Sequence, residues 1–171
     1  MPTIITHAVV PLTVAAMAGR RRIGPAVAVA GALLAMVPDA DVIGFRLGIA
    51  YADDWGHRGA THSLVIALLL AGLVAAIVPA ARSRMAVAFL FCAAASHGLL
   101  DMLTDGGLGV ALFWPVDTAR HFFPWTPIRV SPIGTGFFSL RGVETILSEM
   151  ALVWLPCAAG IGLTWLARRR R

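Results

Sequence analysis

The sequence predicts an all-α, polytopic membrane helical bundle of about five helices, and three observations carry that prediction. Of its 171 residues 58% are hydrophobic and 13% charged, where an ordinary soluble domain has about 25% charged residues. The mean hydropathy is +0.81. The apolar residues gather into five runs separated by polar or arginine-rich breaks, several of them near the ~20 residues that span a bilayer at ~1.5 Å per residue. Residues 1–171 therefore read as one membrane-embedded domain.

The first run, 4–19, is apolar apart from Thr6, His7 and Thr13, and Arg20, Arg21 and Arg22 stop it. The second, 23–37, ends at Pro38 and Asp39. Both are short for a span, so they cross untilted or where the bilayer thins, or they dip in as a hairpin. A mixed outer loop covers 38–60. The third run, 61–81, has Thr61 as a good N-cap, and Arg82-Ser83-Arg84 makes the turn after it. The fourth, 85–105, carries His97 and Asp101. A long outer loop, 106–143, is rich in Gly, Pro and aromatic residues. The fifth run, 144–167, closes on the arginines 168–171. No basic stretch precedes the first run, so no cleavable signal peptide is expected. Cys92 and Cys157 lie in apolar runs and read as packing residues.

Charge orients these elements. All 14 basic residues are Arg, and nine of them (20–22, 82, 84 and 168–171) fall on one side of a five-span chain. The positive-inside rule makes that side, and the C-terminus, cytoplasmic. Arginines at helix ends give no reason to expect nucleic acid. The nine acidic residues and five histidines then fall toward the outer side. Four helix ends deliver His7, Asp39 with Asp41, His57 with His62, and His97 with Asp101 and Asp105 to one membrane face. His97 and Asp101, four residues apart, share a helix stripe.

Such a mixed nitrogen and oxygen set suits Zn, Mn or Fe. The donors outnumber the needs of one tetrahedral ion, so one or two divalent ions are expected, Zn first, with bridging Asp in the two-ion case. The pair Asp39 and Asp41 lets one carboxylate ligate while the other orients a ligating His. Arg58, at a loop-to-helix junction, and Arg129 are candidate anion clamps. Taken singly, each residue has a plainer reading: His7 as an interfacial group, Asp39 as a turn residue, His97 and Asp101 as a helix-locking pair. Asp53 and Asp54 read as solvated loop charges, and Arg46, Arg120, His121 and Arg141 as interfacial groups. Phe113, Trp114, Phe122, Phe123 and Trp125 read as an aromatic belt, which is compatible with a wall guiding a lipid tail. The convergence favours a metal site.

The blocks Thr6-His7, Val37-Pro38-Asp39-Ala40-Asp41, His57-Arg58-Gly59-Ala60-Thr61-His62-Ser63 and Ser96-His97-Gly98-Leu99-Leu100-Asp101, in that order, resemble the YdjM-like family, described as LexA-regulated, membrane-bound, predicted metal-dependent hydrolases. The resemblance runs from His7 to Asp105 and weakly to Arg129. The HRGxTHS and SHxLLD blocks are its specific parts. It implies hydrolysis at a metal centre in the bacterial inner membrane. The order His, Asp, His, HxxxD is also similar to that of helical zinc-dependent phospholipases C. By that order His7, Asp39, His57 or His62, His97 and Asp101 would be ligands. Those enzymes carry a further His and HxxxE set that has no counterpart here, because His121 lacks a Glu four residues on. One or two ions are therefore expected rather than three.

The combined expectation is a hydrolase at the extracytoplasmic face of a multi-pass inner-membrane protein, cleaving a phosphoester of a lipid or lipid-linked substrate. His7, Asp39, His57, His62, His97 and Asp101 would hold metal. Arg58, Ser63 and Arg129 would contact substrate. Asp41 or Asp105 would act as base or orient a ligand, and Arg58 would assist catalysis. Two rivals use the same residues: a proton or divalent-metal transporter, and a non-catalytic scaffold whose polar pairs lock helices. A hydrolase for an amide bond is less favoured, since no HExxH is present.

Overall fold

A computed structural model describes residues 1–170 of the chain. It is all helical, as expected, with no strand among the described residues and two isolated β-bridges. The α-helices are α1 (Ile4–Ala18), α2 (Pro25–Leu34), α3 (Leu64–Ile77), α4 (Arg84–Asp101), α5 (Leu140–Glu149) and α6 (Leu155–Arg169). A π-helical turn, Met150–Trp154, joins α5 to α6, so Leu140–Arg169 runs as one helix of 30 residues. The bundle thus consists of five rods.

Local chemistry sets the boundaries. Gly24 precedes Pro25 at the start of α2, where the fixed φ of proline suits the first turn. Ser63 and Ser83 cap α3 and α4, accepting from the N–H groups of Ile66 and Ala86 at 3.2 and 3.1 Å. Thr61 is therefore not the cap of α3, because its hydroxyl is spent on Asp41 at 2.6 Å. α4 stops at Asp101, four residues before the expected end. Thr104 Oγ1 donates back to the Asp101 carbonyl, and Asp105 N–H donates to Ile128 O instead of continuing the helix. Pro38 does not end the second run. It opens a 3-10 stretch, Val37–Leu47, in which a proline without an N–H is tolerated near the start.

Three helical segments are long and apolar enough to cross a membrane: Pro25–Leu47, Arg84–Asp101 and Leu140–Arg169. α1 and α3 are shorter apolar helices. α4 packs against α1, α2 and α3 through small residues, among them Ala67 and Ala71 of α3 and Ala86, Ala93 and Ala94 of α4. Small side chains let helix backbones approach in lipid, where apolar burial supplies little driving force. Gly31 takes this furthest, since a Cβ there would sit 2.5 Å from the Phe89 ring. Leu68, Leu69, Leu73 and Ile77 of α3 turn outward, 56–68% exposed, as a lipid-facing surface requires. Cys92 and Cys157 are free.

The two ends of the bundle differ. At one end Arg168 donates to the carbonyl of Met17, which brings the basic close of α6 beside Arg20–Arg22. The buried histidines and carboxylates lie toward the other ends of the same helices.

Candidate metal centre

Each donor reaches this end from a different element. His7 lies in the second turn of α1, Asp39 and Asp41 on the 3-10 stretch, and His97 and Asp101 in the last turns of α4. His62 ends a short 3-10 turn, Ala60–His62, before α3. Gly98 lets α4 lie against that turn, because a Cβ on it would stand 2.8 Å from the His62 carbonyl oxygen. Arg58 holds a left-handed backbone, φ +65°, uncommon for a non-glycine residue.

One donor atom from each of Asp39, His62, His97 and Asp101 lies within 4.8 Å of the other three, and all four residues are buried. His62 Nε2 and His97 Nε2 face each other at 2.9 Å. Asp39 Oδ1 is 3.4 Å from His97 Nε2, and Asp101 Oδ2 is 3.4 Å from His62 Nε2. The second oxygens turn the other way. His7 Nε2 is 3.8 Å from Asp39 Oδ2 and 3.5 Å from Asp101 Oδ1, and its ring stacks on that of His97 with centroids 3.7 Å apart. Among the described residues neither oxygen of Asp39 or Asp101, and neither nitrogen of His7, has a hydrogen-bond partner.

Buried carboxylates are costly unless a cation offsets them; Arg58 lies against Asp101, whereas Asp39 has only histidines beside it. Tetrahedral ligands held at ~2.1 Å from a zinc ion stand about 3.4 Å apart, close to the spacings found. The donor set therefore fits a divalent ion, which Asp39, His62, His97 and Asp101 would hold, with His7 on the far side of both carboxylates.

The surroundings tune the ligands. His97 Nδ1 donates to the Ala35 carbonyl at 2.7 Å, which leaves the Nε2 lone pair facing inward. Asp41 performs the orienting role expected of one of the two alternating aspartates. Its Oδ1 meets His57 Nδ1 at 2.6 Å and its Oδ2 lies 3.2 Å from His62 Nδ1. Asp41, His57 and His62 also form a group whose donors approach one another closely enough for an ion. There, however, the short His57 bond and the Thr61 hydroxyl already occupy the carboxylate. Burial opposes a charge on His62, but the adjacent Asp101 and Asp41 outweigh it and raise its pKa to about 9. The same carboxylates that attract that proton would attract a metal.

The remaining expected residues lie outside the four-residue group. His57 is buried against Asp41. Arg58 is fully buried and points inward: Nε is 3.1 Å from Asp101 Oδ2, and the other two nitrogens donate to Gly106 O and Thr104 Oγ1 at 2.8 and 2.9 Å. It holds Asp101 in place rather than facing solvent. Ser63 caps α3. Asp105 pairs with Arg129 at 2.8 Å at the surface and accepts from Val130 N–H. Slight burial raises the Asp105 pKa, but the Val130 bond and Arg129 outweigh it and hold the carboxyl below its usual range, a poor setting for a general base. Phe113, Phe122, Phe123 and Trp125 are 37–68% exposed.

Sequence reasoning missed Glu149. It is fully buried at the edge of the π turn and accepts from Thr3 N–H and from the hydroxyls of Thr3 and Thr6. Trp154 Nε1 donates to Thr6 Oγ1 at 2.7 Å. This network ties the start of α1, and so His7, to the last helix. The signal in the sequence was an acid inside an apolar run, which needs a partner.

Fold and site together define a helical membrane protein with a buried His/Asp cluster able to hold a metal ion. The chain belongs to the YdjM inner membrane protein family, whose model matches residues 1–171. It is 41% identical over 174 residues to inner membrane protein YbcI of Escherichia coli strain K12, a match covering 99% of this chain and 100% of the relative. No solved structure matches the chain.

Proposed function

We propose that the protein is a multi-pass, metal-dependent hydrolase of the bacterial inner membrane that cleaves a phosphoester of a lipid or lipid-linked substrate. The observation that carries this reading is the pair of buried carboxylates, Asp39 and Asp101, gathered among three buried histidines. Each presents one oxygen toward His62 and His97 and the other toward His7. These residues would hold one or two divalent ions, Zn first and Mn or Fe otherwise. Bound there, such ions would supply Lewis-acid activation of water and of a phosphoryl oxygen.

The residues of the chain do the rest. His97, held by the Ala35 carbonyl, and His62, held by Asp41, keep their lone pairs aimed inward. Arg58 orients Asp101 through Oδ2, the oxygen that also faces His62. Burial of the whole group keeps bulk water from competing at the donors. The family and its basic helix ends support an extracytoplasmic site with a cytoplasmic C-terminus.

The transporter reading draws less support. The buried polar side chains of α1, α3 and α4 include Thr13 as the one such group distant from the centre among the described residues. A relay would need a polar path through that half.

Elemental analysis of detergent-purified protein beside His97→Ala tests the reading. The wild type is expected to carry one or two equivalents of Zn, Mn or Fe and to release phosphate or a phosphorylated headgroup from phospholipids. The variant is expected to insert normally and to lose both. Full metal content in His97→Ala would overturn the assignment, and metal without any ester cleavage would leave a binding protein.

A further inference from the structure

Beside Asp39 a groove of about 360 Å³ runs between the start of α1, the 3-10 stretch and the segment 131–138. Its walls are Ile4, Ile5, Val42, Ile133, Phe137 and Phe138. Its polar lining is Thr3, Ser131 and Asp39, the last 4% exposed. Phe137 and Phe138 also line a second, almost wholly apolar cavity of about 420 Å³ along α5, which ends at Val143, Ile146 and Leu147. The two grooves adjoin at Phe137 and Phe138, and the first touches the His/Asp centre at Asp39. Ile5 and Ile133 of the first are 57% and 54% exposed, and Phe138 is 89% exposed.

A groove whose lining is mostly large and apolar but includes Thr3, Ser131 and Asp39 matches an amphiphile. We propose that it seats an acyl chain of a phospholipid drawn from the surrounding bilayer, with the phosphate at the Asp39 end. The position of the phosphate rests on the metal-site reading above; the seat for the chain does not. The same groove is poorly made for a peptide. The N–H group of Ser131 in one wall already donates to the Met1 carbonyl, and Pro132 beside it has none. An extended peptide would find no ladder there, whereas an acyl chain needs none. The residues around the groove, Ile5, Ile133, Phe138, Val143 and Leu147, are large, apolar and exposed, as entry of a chain from lipid requires.

Photolabelling tests this without any turnover. The full-length protein in nanodiscs is irradiated with phosphatidic acid carrying a diazirine near the end of one acyl chain, and the labelled peptides are mapped by mass spectrometry. Labels are expected to concentrate on Ile5, Ile133, Phe137 and Phe138. Ile133→Trp and, on a separate element, Ile5→Trp are each expected to lower groove labelling about tenfold by filling the groove. Metal content is expected to stay unchanged in both. Labels spread over the outward residues Leu68, Leu69 and Leu73 with no enrichment in the groove would overturn the proposal. So would groove labelling that ignores both blockers, or a groove labelled by a diazirine-leucine peptide and not by lipid. Groove labelling in a protein that cleaves no ester would sustain the acyl seat and remove the hydrolase. Cleavage of a water-soluble phosphoester without groove labelling would do the reverse.

Discussion

Gly98→Ala isolates the contact that brings two ligands together. A Cβ at position 98 would stand 2.8 Å from the carbonyl oxygen of His62, and ordinary C···O contacts lie near 3.3 Å or beyond. The obstacle is backbone, so no rotamer change relieves it, and α4 must move about 0.5 Å from the turn that carries His62. The next residue, His97, faces His62 at 2.9 Å across this seam. Ligand geometry tolerates errors of only about 0.5 Å, so apparent metal affinity is expected to fall about 10- to 100-fold, or roughly 1.4–2.7 kcal/mol. Global stability should change less. Replacing a helical glycine by alanine gains up to ~1 kcal/mol, against an overpacking cost of about 1–3 kcal/mol. Chelator competition on purified protein gives the affinity, and thermal unfolding of chelator-treated protein gives the stability. Affinity within about twofold of wild type would show that the approach of α4 to the His62 turn does not set the site.

Other perturbations separate ligands from their supports. Asp39→Asn should abolish metal loading, whereas Asp41→Asn, which disturbs only the groups orienting His57 and His62, should weaken it about 10- to 100-fold; equal losses in elemental analysis would contradict that division of roles. Glu149→Leu strands three buried donors on Thr3 and Thr6 and should destabilise the protein by about 3–5 kcal/mol, read as a lower Tm that Glu149→Gln largely restores. For His62 the folded pKa of about 9 lies above the ordinary 6.5. Its contribution to chelator-treated protein is therefore full below pH 6.5 and is lost as pH rises through 9. Metal-loaded protein, whose His62 is already deprotonated, should not share that decline, and identical Tm profiles from pH 6 to 10 would refute the link.

The sequence alone determined the class of fold and which histidines and aspartates could gather at one end of it. Five apolar runs broken by arginines dictate lipid-embedded helices whatever their packing, because backbone groups in lipid must be satisfied within each helix. The i, i+4 spacing of His97 and Asp101 assigns them to one stripe before any partner is known. Side chains that recur at several helix ends of one topological side must meet if the helices bundle, and His7, Asp39, His62, His97 and Asp101 do meet. Only the tertiary structure decided how the roles divide. Arg58 turns inward to Asp101 and Asp105 outward to Arg129, a choice made by the left-handed backbone at Arg58 and by the pairing of Asp105 with the segment near Val130. Neither is encoded in local spacing. The capture of Glu149 by Thr3 and Thr6 spans more than 140 residues, and the groove beside Asp39 is assembled from α1, the 3-10 stretch and a late loop. Contacts at such separations depend on which faces the packed helices turn toward each other, and lipid-exposed and buried apolar residues look alike in a chain of this composition.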